Sequence, residues 1–196
     1  MTKHIGILLF DDVEELDAVG PWEVLAYWVN AFDGDGYSVS TVSRTGTPVR
    51  CGHGMVITPD CGFADAPQWE VLIHPGGKGA QARALDPEHL DWVRAQRERV
   101  PLMASVCTGA LVYAAAGLLK GRPATTHWRA LDRLSQLDPT VQPRPDERFV
   151  DDGDILTSAG VSAGIDMTLH LVGRLAGTER AQRIRHAIQY DPMPPA

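Results

Sequence analysis

The chain has 196 residues, 44% of them hydrophobic and 22% charged, enough for one domain (1–196) with a sizeable core. Eighteen basic against 25 acidic residues leave a net charge of −7, which argues against the basic face of a nucleic-acid binder. No apolar stretch is long and clean enough to span a bilayer, and acidic residues follow the first apolar run where a signal-peptide cleavage site would sit, so a cytoplasmic protein is expected.

In chain order, "HIGILLF" (4–10) is a continuous apolar run, the mark of a strand buried on both faces. "DDVEELDAVGPWEVLAYWVNAF" (11–32) then turns helical. Leu16, Val19, Val24, Leu25 and Trp28 recur at helical spacing, with Gly20-Pro21 as a break or restart near the front. "YSVSTVS" (37–43) is β-branched and alternating, a second strand. "TPVRCGHGMVITPD" (47–60) reads as a short hairpin with Gly52 and Gly54 in its turn. Cys51, His53 and Cys61 around it match no zinc spacing and read as incidental. With three cysteines unevenly spaced, no disulfide framework follows either.

"EVLIHPGG" (70–77) is another buried strand, ending in Pro-Gly-Gly, and "DPEHLDWVRAQRER" (86–99) is an amphipathic helix capped by Asp86. "VPLMASV" (100–106) is a strand that passes at Cys107 straight into the small-residue helix "TGALVYAAAGLL". "TTHWRALDRLSQL" (125–137) is helical, capped by Thr125 or Thr126. "RFVDDGDILTSAG" (148–160) is a hairpin with Asp152-Gly153 at its tip. Two helices over 161–190 follow, and "DPMPPA" (191–196) is a tail. Strands alternating with helices indicate a mostly parallel sheet covered on both faces, which binds ligands beyond the carboxyl ends of its strands. Those ends lead to Asp17, Gly76-Gly77 and Cys107.

A sharp strand-to-helix turn projects Cys107 out of the sheet, as in a nucleophile elbow. The unpaired N–H groups of the first helical turn, near Thr108 and Gly109, favour a thiolate and an anionic intermediate, so a lowered thiol pKa is expected. The alternative is a buried cysteine acting as a small hydrophobe. Asp17, at the same sheet end, either caps its helix or stands beside the sulfur as a protonated hydrogen-bond donor and proton carrier. Asp11, Asp12, Glu14 and Glu15 read as a solvated acidic loop. Gly76-Gly77 is either a turn or a backbone surface offering N–H donors to a ligand. "GGKGAQA" has no P-loop spacing, and Lys78 is read as surface. His127 is a core histidine at a helix start or a group supporting the site from behind. Asp166, in an apolar helix, calls for a structural hydrogen bond.

Together "HPGGKGA", "SVCTGALVYAAAGLLKGRPATTHW" and "LTSAGVSAGIDMTLHLV" resemble the ThiJ/PfpI superfamily, over nearly the whole chain. The branch it is most similar to is the isocyanide (isonitrile) hydratases, with a further likeness to the amino-terminal domains of AraC-type regulators. The resemblance implies a flavodoxin-like α/β sandwich related to class I glutamine amidotransferases. It also implies a homodimer with its site near the interface. It carries the nucleophile onto Cys107, its acidic partner onto Asp17, the following Thr onto Thr108, and the glycine-rich loop onto Gly76-Gly77. "AGVSAG" matches a pocket-lining segment, with Val161 and Ser162 as contacts. The superfamily's proteases and chaperone-glyoxalases carry His directly after Cys. Thr108 stands there in this chain, which turns the reading away from proteolysis.

The implied activity is cofactor-independent and metal-free: water adds to a small-molecule isocyanide through a thioimidate on Cys107, giving an N-substituted formamide. Glyoxalase-like or redox-sensing cysteine chemistry and a non-catalytic ligand-binding domain are the alternatives. The regulators continue into a helix-turn-helix domain, whereas this acidic sequence stops at Ala196, so a stand-alone enzyme is expected.

Overall fold

The strands in chain order are β1 (Lys3–Leu8), β2 (Tyr37–Ser43), β3 (Val49–Arg50), β4 (Val56–Ile57), β5 (Cys61–Gly62), β6 (Trp69–His74), β7 (Leu102–Val106), β8 (Pro123–Ala124), β9 (Gln142–Pro143), β10 (Phe149–Asp151) and β11 (Ile155–Ser158). The helices are α1 (Glu15–Ala31), α2 (Lys78–Arg83), α3 (Pro87–Arg97), α4 (Gly109–Ala115), α5 (Leu131–Leu137), α6 (Ala163–Ala176) and α7 (Thr178–Ala187). This computed structural model describes residues 2–191, so most of the expected tail, 192–196, lies outside it.

Seven strands form one sheet in the order β10-β11-β7-β6-β1-β2-β5. Every pairing in it is parallel except β10 with β11. The apolar runs account for the centre: Ile5, Ile7, Val71, Ile73, Met103, Ala104 and Val106 are fully buried. The helices form two groups, α1 with α6 and α7, and α2, α3 and α5 around α4, which cover the two faces of the sheet. The result is the flavodoxin-like α/β sandwich that the sequence implies. The chain runs outward from β1 to β2 and then returns to β6 on β1's other side. The switch point therefore lies between β1 and β6, and β7 adjoins β6.

Several local expectations change. Helix α1 runs unbroken through Pro21, because Gly20 and Pro21 both lie buried, and a Cβ on Gly20 would come 3.1 Å from Ile165 on α6. Packing there outweighs the missing proline N–H. The buried side of α1 is Asp17, Ala18, Gly20, Pro21, Val24, Leu25 and Trp28, whereas Leu16 faces outward. The helix read from 125 starts later: Thr125 and Thr126 are buried and lie outside any helix, and His127, not a threonine, caps the turn by accepting from Arg129 N–H. Helix α2, six residues without a side-chain cap, has no sequence signal of its own. The hairpins at β3–β4 and β10–β11 and the Asp86 cap of α3 are as read. Among the described residues, no helix is long and apolar enough to cross a membrane.

Candidate active site

Three strand ends converge. β7 delivers Cys107, the segment after β1 delivers Asp17 at the start of α1, and β6 delivers Gly76 and Gly77. Cys107 has φ of 56°, in the left-handed region that a non-glycine residue rarely occupies. The strained turn is held from several sides. Cys107 N–H donates to Ser158 O (3.1 Å) and Ala159 O (3.2 Å), and Thr126 Oγ1 donates to Cys107 O (2.7 Å). Thr126 is thus a strut of the elbow rather than the helix cap that the sequence predicts.

Asp17 is fully buried, and its Oδ2 accepts from Gly76 N–H at 3.0 Å. It does not cap its own helix, whose N-cap is Glu14. The Asp17 carboxyl and the Cys107 thiol stand close enough to perturb one another, and the Val161 backbone favours the charged form of each. Asp17 Oδ1 is buried and, among the described residues, has no hydrogen-bond partner. Val161, which perturbs both groups, has φ of 52°, a second strained residue. The Thr108 backbone likewise favours charge on the sulfur. Gly76 has no room for a side chain: a Cβ would lie 2.5 Å from Thr108 N and 2.9 Å from Asp17 Oδ2. Across the gap, Thr108 Oγ1 accepts from Gly77 N–H (2.9 Å) and donates to Gly77 O (3.2 Å), tying the two loops together.

The protonation pattern corrects one expectation. Burial pushes the Cys107 thiol up to about 12, and the Asp17 charge adds to the shift; the Thr108 and Val161 N–H groups only partly offset them. Burial also raises Asp17, to about 7, aided by the nearby Glu14 and opposed by the Gly76 N–H. Burial pushes both members toward their protonated forms, so the pair holds on to a proton around neutral pH.

The remaining candidates sit further out. Ser162 is exposed, and its hydroxyl accepts from Arg148, which also pairs with Asp166. Asp166 in addition accepts from Tyr190, the structural role read for it. His127 is half-buried and packs on Gly160 beside the Val161 turn, so it is not a core histidine. The acidic loop is only partly solvated. Glu14 pairs with His53 at 3.3 Å, and Glu15 Oε1 accepts from His53 N–H at 2.7 Å, clasping the β3–β4 hairpin to α1. These three side chains bring ligand-type atoms within 4.8 Å of one another, already engaged in that clasp.

The model of the DJ-1/PfpI family matches residues 3–174. The chain belongs to the DJ-1/PfpI family. As a family member it is 39% identical over 196 residues to isonitrile hydratase from Pseudomonas putida, covering 100% of this chain and 82% of the relative. It is 33% identical to the HTH-type transcriptional regulator GbdR of Pseudomonas aeruginosa, covering 96% of this chain but only 51% of the regulator. Among solved structures it resembles a ThiJ/PfpI family protein from Pseudomonas syringae with a TM-score of 0.87 and 33% identity, covering 100% of this chain and 78% of that one. DJ-1/PfpI members similar to this chain thus include both an enzyme and a regulator.

Proposed function

We infer that this DJ-1/PfpI protein is a cofactor-independent isocyanide hydratase. The observation that carries the reading is the buried Asp17–Cys107 pair at the strained β7–α4 elbow. Likeness to the P. putida isonitrile hydratase over the whole chain supports it.

The terminal carbon of R–N≡C is electrophilic and has no leaving group, so water must be added rather than exchanged. Cys107 sulfur attacks that carbon as its proton passes to Asp17. Asp17 then delivers the proton to the same carbon, leaving a thioimidate, R–N=CH–S–Cys107. Ionised again, Asp17 takes a proton from water as the oxygen attacks, and passes it to nitrogen. The tetrahedral carbon now bears OH, NHR and sulfur. Collapse breaks the C–S bond, the hydroxyl proton returns to the pair, and R–NH–CHO leaves. The Thr108 and Val161 N–H groups steady the sulfur while it carries charge.

Purified protein is expected to convert alkyl or aryl isocyanides to formamides, followed by loss of isocyanide absorbance and by mass. Cys107→Ala should abolish turnover, and Asp17→Asn should lower kcat by about 10²–10⁴-fold, the usual contribution of a positioned acid–base group. kcat/KM should rise with pH through about 7, as Asp17 ionises, and then level off. Binding without turnover across a panel of isocyanides would favour a ligand-binding domain like that of the regulators. Turnover of glyoxals instead would favour the glyoxalase-like alternative.

A further inference from the structure

β6 ends on His74, and the next peptide unit is hydrogen-bonded at both ends. Its oxygen, Pro75 O, lies 2.8 Å from His74 Nδ1. Its N–H, that of Gly76, donates to Asp17 Oδ2 at 3.0 Å. On the far side of the His74 ring, Nε2 lies 2.9 Å from His89 Nε2 on α3.

One atom fixes the proton positions along this chain. A carbonyl oxygen can only accept, so His74 Nδ1 carries a hydrogen. Burial drives both imidazoles down, His74 to about 4 and His89 to about 3, so both are neutral at working pH. A neutral ring protonated at Nδ1 accepts at Nε2, so the hydrogen between the rings belongs to His89. Every bond then points the same way: His89 to His74, His74 to Pro75 O, and Gly76 N–H to Asp17. Aligned hydrogen bonds polarise one another, most strongly where water is absent. Both rings are buried, wedged by Phe10 and by Tyr113, whose ring meets His74 edge-on.

We propose that His74 and His89 are positioning residues for Asp17, holding and polarising the Pro75–Gly76 peptide so that its N–H sets the carboxyl's proton affinity. The role assigned to that affinity in catalysis rests on the hydratase reading above. The charged groups facing the histidines are Arg83 on α2, Arg44 after β2, and Asp86 at the α3 cap, which pairs with both arginines. Those facing Asp17 are Cys107 and Glu14. Substitution at His89 leaves all of them in place.

The test titrates the Asp17 carboxyl itself, by infrared or NMR on protein labelled with 13C-aspartate, with Asp17→Asn identifying the signal. His89→Leu removes the donor to His74. The Asp17 midpoint should then rise by roughly half a unit, since the carboxylate loses part of its strongest donor. His89→Gln, whose amide N–H can still reach His74 Nε2, should restore the wild-type midpoint. If His89→Leu does not fold, His89→Met serves as the apolar replacement. The low-pH limb of kcat/KM for an isocyanide should move with the carboxyl midpoint. An unchanged midpoint in the apolar variant, or an equal shift in His89→Gln, overturns the relay. A midpoint that shifts in a protein without turnover upholds the relay and rejects the hydratase reading, so the two failures are distinct.

Discussion

A carboxyl with no exposed surface and a proton affinity raised to about 7 is held at the expense of stability, and Asp17 is in that position. Between its ordinary value of 3.8 and about 7, the folded protein keeps a proton there that the unfolded chain releases. Stability from this group therefore falls as pH rises through that window and stays low above it. Asparagine removes the ionisation and can still accept from Gly76 N–H through its amide oxygen. Asp17→Asn should thus be more stable than wild type at pH 8, by on the order of 3 kcal/mol, while losing activity. The advantage should vanish near pH 4. Thermal melts of the two proteins at pH 8 and pH 4 check it; equal Tm values at pH 8 would remove Asp17 as a buried titrating group.

At the scale of elements, the β7–α4 elbow is fitted against the end of β6. A Cβ on Gly109, the first residue of α4, would lie 2.2 Å from His74 O, a backbone atom that cannot step aside. Gly109→Ala must therefore move α4, Cys107 or the Pro75–Gly77 loop. A cost of roughly 1–3 kcal/mol is expected, as for overpacking elsewhere, together with a loss of turnover larger than the loss of folded protein. Urea unfolding beside the isocyanide assay measures both. This fit explains what was legible in the sequence and what was not. β1, β6 and β7 could be read because strands buried on both faces are continuous apolar runs, and their ends pointed to Asp17, Gly76 and Cys107. The run of α1 through Pro21 was not legible, since it depends on α6, more than 130 residues on. Nor was Thr126, whose partner is the carbonyl of Cys107, or His74, whose partner His89 is 15 residues away on another element. Side chains that serve a distant carbonyl or ring leave no periodic pattern. The direction of the thiol shift was missed for the same reason: an N-terminal helix position is visible in sequence, but the depth at which the elbow is buried is not.

For the whole molecule, three buried groups govern the response to mild acid. His74 and His89 have proton affinities depressed from 6.5 to about 4 and about 3, so unfolding takes up two protons below pH 6.5. Asp17 acts in the opposite sense, since unfolding releases its proton anywhere between 3.8 and about 7. The balance is one proton taken up, so wild-type stability should fall by about 1.4 kcal/mol per pH unit on going from 6.5 towards 4.5. The carboxyls held low have ordinary values of 4.5 (Glu15) and 3.8 (Asp35, Asp86, Asp151 and Asp154), so they add to the fall only at the acid end of that window and below it. Removing Asp17 leaves both histidines unopposed, so Asp17→Asn should lose stability about twice as steeply as wild type over the same interval. Removing one histidine leaves the remaining one matched against Asp17, so His89→Leu should be nearly flat. Unfolding free energies from urea titrations at pH 6.5, 5.5 and 4.5 give the three slopes directly. Parallel slopes in all three proteins would mean that neither the histidine pair nor Asp17 is buried in the protonation states described.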